Sequence, residues 1–413
     1  MMVKTIVKCR ICSRDQLTSL MSLENQALTG VFPKTKTEKI TSGSVELVKC
    51  TSLDGCGLVQ LRQSYDLSEM YGLNYGYRSG LNASMVKHLH SKVTNILEMN
   101  ILEPDDLVID IGSNDATTLR AYPQDVYDLV GIDPTGLKFF EYYPKEIRLI
   151  PEFFSADAVA KALNGKKAKV ITSFSMFYDL EEPITFAKEI EVALEVDGVW
   201  IFEQSYLPAM LCTNSFDTIC HEHLEFYALK QILWIAEKAG LKVLDVDFNE
   251  VNGGSFSIVC AKVDAKYKSN YEKLNQILAD ESKLGLDTTE AFDAFKSRVE
   301  KARSDLMCFL KEAKSEGKKV CGLGASTKGN VLLQYYGIND ELISAIGEVN
   351  SDKFGSFTPG TLIPLVAEDE VLNSNPDYLV ILPWHFRAFF ESLPKLKGRK
   401  LVFPLPNFEI IEV

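Results

Sequence analysis

Two histidines, His221 and His223, flank Glu222 in the segment FDTICHEHLEFYAL, and the whole chain of 413 residues holds only 5 histidines. An imidazole titrates near neutrality, so it can take or give a proton during a reaction. Glu222 can orient or polarise a partner. On an extended segment alternate side chains point the same way, which would turn both imidazoles toward one cleft. A His-x-His pair can also hold a metal, although no third ligand is evident nearby. A third possibility is that the imidazoles cap the helix that follows. Acid–base chemistry is the reading favoured here, and Cys220, just before the triplet, reads as a small filler.

A second group of chemical residues lies near the start. Cys9 and Cys12 form C-x2-C, and Cys50 and Cys56 form a wider pair around TSLDG. Four thiolates close a tetrahedral zinc site, which would staple a segment too small to supply its own core. The alternative is four unrelated thiols. A closed four-sulfur site is structural, with no open position for catalysis.

The third group is VIDIGSNDATTLRAY, residues 108–122. An apolar run ends in Asp110, and Gly112 lets the backbone turn close to a ligand. About twenty residues on, Asp133 ends the next apolar run, where an acid accepts hydrogen bonds from ribose hydroxyls. The loop has one glycine and not the three of a dinucleotide fingerprint. Asp110 and Asp115 beside it disfavour a pyrophosphate and suit a cationic, phosphate-free ligand such as S-adenosylmethionine. An ordinary turn with solvated acids is the alternative. The expected donor contacts are Asp110, Gly112, Ser113, Asn114, Asp115 and Asp133, together with Pro134, Phe154, Ser155, Ser173 and Ser175.

These residues need a frame to hold them. The length implies two or three domains, and the chain can bury a large core. Apolar residues make up 46% and charged residues 24%, as in an ordinary globular protein. A net charge of −13 argues against nucleic acid or an anionic membrane as the main partner. Nine cysteines, four of them clustered, point to a reduced, cytoplasmic protein rather than a disulfide framework. No signal peptide and no membrane-length apolar run is evident.

Met85, Leu89, Val93, Ile96 and Leu97 recur at helical spacing. From residue 105 the apolar runs LVIDI, LVGID, KVITS, GVWIFEQ, LKVLDVDF and SFSIVCAK alternate with helix-length stretches, which implies a mostly parallel, doubly wound sheet. Residues 266–316 are polar and long-helical, with Phe292, Phe295, Val299, Leu306, Phe309 and Leu310 in one stripe. A second strand–turn–helix start follows at KKVCGLGASTKGNVLLQYY, and ISAIGEV, YLVILPW and KLVFPLP supply further strands. The fold expected is α/β in three parts: a zinc-binding unit over 1–68, a Rossmann-like donor-binding unit over 69–265, and a helical bridge with a smaller Rossmann-like unit over 266–413.

In combination, CRIC…GCGLVQL, IDIGSND, ICHEHLEFYAL and GLGASTKGN resemble the sugar C-methyltransferases that act on nucleotide-linked 4-keto-deoxysugars, over essentially the whole chain. The resemblance implies that a base removes the proton from sugar carbon 3, which the ketone at carbon 4 acidifies, and that the enolate carbon then takes a methyl group from S-adenosylmethionine. It assigns the base to His223, with Glu222 and His221 beside it, and brings Tyr75 or Tyr77 to the substrate. Cys220 stands where the family usually has tyrosine, Asp179 where it often has histidine, and Ala116 where it usually has glycine. The first two departures bear on which substrate oxygen is hydrogen-bonded.

The late turn resembles a nucleotide-binding turn, in which Ser326 and Lys328 would meet phosphate; a purely structural turn is equally compatible with it. Trp384, His385 and Arg387 of PWHFR are candidates for the nucleotide's base or diphosphate. The partner expected is a dTDP- or GDP-linked sugar, and the chain is expected to act as a monomer. Two other functions compete: an O- or N-methyltransferase using the same donor, and a non-catalytic, zinc-stabilised protein that binds nucleotide sugars.

Overall fold

The computed structural model describes residues 3–65 and 78–413. Tyr75 and Tyr77 lie outside the described residues. In the first part, β1 (Lys4–Thr5) pairs with β5 (Gln63–Ser64), while β2 (Leu17–Ala27), β3 (Ser42–Cys50) and β4 (Val59–Leu61) form an antiparallel sheet. Helix α1 (Ala83–Glu98) follows, its first turn capped by the Asn82 side chain, with Leu89, Val93 and Ile96 turned into the core.

The central sheet uses β6 (Leu107–Ile111), β7 (Asp128–Ile132), β8 (Ile147–Ile150), β9 (Ala168–Phe174), β10 (Leu194–Ser205), β12 (Leu241–Asn249) and β13 (Ser255–Lys262), with β11 (Glu225–Phe226) left out of it. Its order is β12-β13-β10-β9-β6-β7-β8. Only β13 runs antiparallel to its neighbours there. Every residue of β6, LVIDI, is buried, because a central parallel strand is covered on both faces. Helices α2 (Ala156–Ala162), α3 (Pro183–Ala193), α4 (Leu207–Cys212) and α5 (Leu229–Lys238) occupy the connections.

Helices α6 (Tyr271–Lys283) and α7 (Glu290–Ser315) form the bridge. The α7 stripe buries Phe292, Phe295, Val299, Leu306 and Leu310, and Phe309 is only partly covered. A third sheet, ordered β16-β15-β14-β17-β18-β19, is built from β14 (Val320–Leu323), β15 (Ile346–Glu348), β16 (Leu365–Ala367), β17 (Tyr378–Ile381), β18 (Lys400–Phe403) and β19 (Glu409–Glu412). It carries α8 (Thr327–Tyr336), α9 (Glu368–Asn373) and α10 (Arg387–Ser392). The fold is α/β with two Rossmann-like sheets, as the strand–helix alternation predicts.

The parts are not beads on a string. The two-residue strand β11 leaves the donor unit and pairs with β4, extending the first sheet to four strands in the order β11-β4-β3-β2. One apolar core then runs from β2 and β3 through α4 and α7 into the last sheet. Among the described residues, no helix is long and apolar enough to cross a membrane.

Candidate active site

In an open α/β sheet, ligands bind where neighbouring strands lead off in opposite directions, beyond the strands' carboxyl ends. The central sheet has such a point between β6 and β9, and the last sheet has one between β14 and β17. The predicted donor turn leaves β6 and the predicted Lys328 turn leaves β14. The fold thus puts both chosen loops at ligand-binding positions.

At the first point Gly112 holds φ +73°, a left-handed conformation that a side chain would strain. Asp133, at the end of β7, accepts from the Asn114 backbone N–H at 2.8 Å on one oxygen and from the Thr135 N–H and hydroxyl, both at 2.7 Å, on the other. The first oxygen keeps acceptor capacity for a ribose hydroxyl. Ser113 and Asn114 are bound to Tyr143: the Ser113 hydroxyl lies 2.8 Å from the Tyr143 hydroxyl, which donates to the Asn114 carbonyl at 3.0 Å.

The other two acids act differently from the expectation that they would face a cation. Asp110 is buried and accepts from the Thr172 hydroxyl at 2.5 Å; burial pushes its carboxyl up to about 7. Asp115 is also buried, accepts from the Gly80 N–H at 3.0 Å, and has Arg78 and Arg120 each at 3.8 Å. Both carboxyls hold the turn together instead of presenting free charge.

Among the remaining predicted donor contacts, Ser173 is buried and accepts from the Trp200 indole N–H at 2.9 Å. Ser155 caps α2 through the Ala158 N–H at 3.1 Å. Phe154 packs on Phe186, while Pro134 and Ser175 are exposed at strand ends.

The His-Glu-His segment is a turn, closed by the His223 N–H on the Cys220 carbonyl at 3.1 Å, and not an extended strand. Alternate side chains therefore diverge, and the two imidazoles do not share one cleft. His221 is fully buried edge-on against Tyr65, ring centroids 4.6 Å apart, with its nitrogens facing the backbone of Gln26 and Gly43. Gly43 leaves room for the Tyr65 ring, because a Cβ at its position would run into the Tyr65 hydroxyl. Burial lowers His221 to about 4. This histidine joins the loop to the first sheet.

His223 turns the other way and stacks edge-on against Tyr178 at 4.4 Å. Its Nδ1 lies 2.8 Å from the Thr218 carbonyl, an acceptor only. Nδ1 must therefore carry the proton, which leaves the Nε2 lone pair as a base. Burial lowers His223 to about 4, and the nearby Lys328 ammonium adds to the effect. Glu222 accepts from the Thr29 hydroxyl at 3.4 Å, and burial pushes its carboxyl up. Cys220 is buried and its thiol is held well above its ordinary value by burial and by Glu222, so it is no thiolate nucleophile. Asp179 lies close enough to act electrostatically on Cys220.

The second switch point meets this loop. The Lys328 ammonium donates to the Asn252 carbonyl at 2.7 Å. Burial lowers Lys328, and the Asp217 carboxylate opposes that. Asp217 itself is wholly buried and accepts from the Trp384 indole N–H at 2.8 Å. His385 is lowered well below its ordinary value by burial and by Lys328, and among the described residues its Nδ1 has no hydrogen-bond partner. Ser326 accepts from the Gly329 N–H at 3.0 Å as the cap of α8, leaving its own proton to donate. Arg387 stands apart: Glu391 at 2.6 Å and Glu409 at 2.5 Å hold its guanidinium, over the Phe403 ring.

Trp384, expected near the substrate, instead donates to Asp217; Asp217 was not foreseen, although an acid inside the apolar FDTIC was a signal. Nor was Glu203, at the end of β10, buried between His88 at 2.5 Å, Lys92 and the Asn249 amide at 2.8 Å. Burial pushes that carboxyl up, but His88 and Lys92 outweigh it and leave it below the ordinary range. His88 and Lys92, four apart on one helix, were readable as a pair.

The four cysteine sulfurs all lie within 4.8 Å of one another, with Cys9–Cys56 at 3.4 Å and Cys12–Cys50 at 3.5 Å. Zinc–sulfur bonds of about 2.3 Å in a tetrahedron set sulfurs about 3.8 Å apart, so the cage fits the ion. Buried Lys49 is within electrostatic reach of Cys50 and Cys56, where it offsets thiolate charge.

Known proteins resemble each of the three parts of the chain. Three family models match in series: a zinc binding domain over residues 9–71, a methyltransferase domain over 72–246, and a C-methyltransferase C-terminal domain over 250–406. The C-methyltransferase NovU of Streptomyces niveus is 26% identical over 420 residues, covering 99% of this chain and 98% of that protein. The chain belongs to the S-adenosylmethionine-dependent C-methyltransferases. Two solved structures similar to this C-methyltransferase are an S-adenosylmethionine-dependent methyltransferase from Clostridium acetobutylicum and LepI in complex with S-adenosylmethionine. The first is 12% identical at TM-score 0.33, covering 43% of this chain and 92% of that one. The second is 17% identical at TM-score 0.33, covering 38% and 43%. The C-methyltransferase uses S-adenosylmethionine and carries a structural zinc.

Proposed function

We propose that the protein methylates carbon 3 of a nucleotide-diphospho-4-keto-6-deoxyhexose, a step toward a branched deoxysugar. The observation that carries this reading is the meeting of His223, whose tautomer puts the lone pair on Nε2, with Lys328 and His385 of the last sheet. The full-length likeness to a C-methyltransferase supports carbon as the nucleophile. Carbon needs activation through an enolate, which explains a positioned base next to the donor-binding sheet.

S-adenosylmethionine supplies an electrophilic methyl group when bound. Asp133, with Gly112, Ser113 and Asn114 at the turn, would hold it at the first switch point. His223 Nε2 takes the proton from carbon 3, and the Thr218 carbonyl stabilises the imidazolium through Nδ1–H. Tyr178 fixes the ring's tilt. Glu222, held by the Thr29 hydroxyl, is placed to accept from a sugar hydroxyl. Lys328 and Ser326 meet the diphosphate at the second switch point, His385 lies beside the nucleotide, and Asp217 balances the lysine's charge. Arg387, already bound by two carboxylates, has no part in this scheme. The units proposed to act together are 1–68, 69–265 and 266–413, in a cytoplasmic monomer.

Incubation with dTDP- and GDP-linked 4-keto-6-deoxysugars and the methyl donor, with the product's new methyl located by NMR, tests the reading. A methyl on carbon 3 is expected. A methyl on oxygen or nitrogen would overturn it.

A further inference from the structure

Arg10 lies between the first two cysteines of the zinc turn, with its side chain only 2% exposed. Its Nε is 3.5 Å from a Glu181 carboxylate oxygen and 3.6 Å from a Glu225 carboxylate oxygen. Its Nη1 donates to the Leu61 carbonyl at 2.6 Å, and its backbone N–H donates to the Gln60 side chain at 3.1 Å. Glu225 is completely buried, and among the described residues neither of its carboxylate oxygens has a hydrogen bond. An isolated buried carboxyl is costly, and Arg10 is its compensating charge.

What the two acids follow in sequence gives the contact its meaning. Glu181 comes three residues after Tyr178, and Glu225 comes two residues after His223. Tyr178 and His223 are the rings stacked at 4.4 Å in the site, and the Leu224 N–H donates to the Tyr178 carbonyl at 2.8 Å. The Leu61 N–H in turn donates to the Leu224 carbonyl at 2.8 Å. One guanidinium therefore reaches both segments that deliver the paired rings, and the cysteine turn fixes where it stands.

We propose that Arg10 is a positioning residue, through which the zinc turn clamps the Tyr178 and His223 segments together and sets the base. This rests on the reading of His223 as the base only for its kinetic consequence; the clamp itself is a structural claim. A misplacement near 1 Å costs about 10²-fold in rate, so an unclamped enzyme should lose kcat more than it loses substrate or donor affinity.

The test compares the full-length zinc enzyme with Arg10→Met, Arg10→Lys and Glu225→Gln. Zinc per chain, donor affinity, kcat and KM are measured, with the His223–Tyr178 ring contact followed by NMR in histidine-labelled protein. Arg10→Met should keep one zinc and donor affinity within about two-fold, while kcat falls tenfold or more and the ring contact is lost. Arg10→Lys should recover part of both. Stripping zinc from the unaltered protein with a chelator should also break the ring contact. If Arg10→Met does not fold, Glu225→Gln, which keeps the shape, should show the same loss of contact. An unchanged ring contact in the folded variants, or after zinc removal, overturns the proposal. Loss of the contact in a protein that methylates no nucleotide sugar would leave the clamp standing and sink the proposed function.

Discussion

The acidity of His223 gives a sharp kinetic expectation. Its folded value is about 4 against an ordinary 6.5. At pH 5.5 a histidine of ordinary acidity is about 9% neutral, whereas one at about 4 is about 97% neutral. The acid limb of kcat/KM reports the base in the free enzyme. Activity at pH 5.5 should therefore stay within about two-fold of the neutral plateau, where an ordinary imidazole would have cost about tenfold. Lys328→Met supplies the control. Its ammonium pushes His223 down, so its loss should move the limb to higher pH, whatever it does to the plateau. The assay is release of demethylated donor product over pH 5–8, with folding checked at each point. A limb near 6.5 in the unaltered enzyme, or one that moves to lower pH in Lys328→Met, would refute the reasoning.

His223→Ala should lower turnover about 10²–10⁴-fold, the usual contribution of a positioned base, while calorimetry finds S-adenosylmethionine affinity nearly unchanged. Its partners are Thr218 and Tyr178, not the 112–115 turn. Metal analysis should find one zinc per chain, and Cys50→Ser should abolish it and lower the melting temperature, because zinc binding energy is folding energy at a closed site. Stability should fall in acid. His221 is lowered by burial to about 4, so the unfolded chain takes up its proton first as pH drops below 6.5. Stability from this group is complete above 6.5, about 2 kcal/mol of it is gone by pH 5, and the loss continues toward 4; denaturant titrations at pH 7 and pH 5 measure it.

The strands were legible because central parallel strands announce themselves as unbroken apolar runs, as in LVIDI and KVITS. The zinc cage was legible because only clustered thiolates make one. The order of strands was not, yet it decides that the 112 and 324 turns occupy switch points. The orientation of His221 was missed for a local reason: the segment closes as a turn on Cys220, and alternation applies only to extended chain. The roles of Asp110 and Asp115 were missed because an acid's sequence position says nothing of its burial, and burial makes Asp110 a hydrogen-bonded group rather than a counter-charge. The joining of β11 to β4 is a pairing of two residues across a long separation, which no periodicity reveals. The meeting of Asp217, Lys328 and Trp384 likewise depends on how two sheets pack.

The most direct test of the account is hydrogen exchange at the substrate. The enzyme is held in D2O with dTDP- and GDP-linked 4-keto-6-deoxysugars, first without and then with the methyl donor, and carbon 3 is followed by NMR. The account predicts deuterium at carbon 3, lost in His223→Ala, and a carbon-bound methyl once donor is added. Methyl transfer to oxygen or nitrogen with no exchange at carbon 3, or no reaction with any of these sugars, would contradict it.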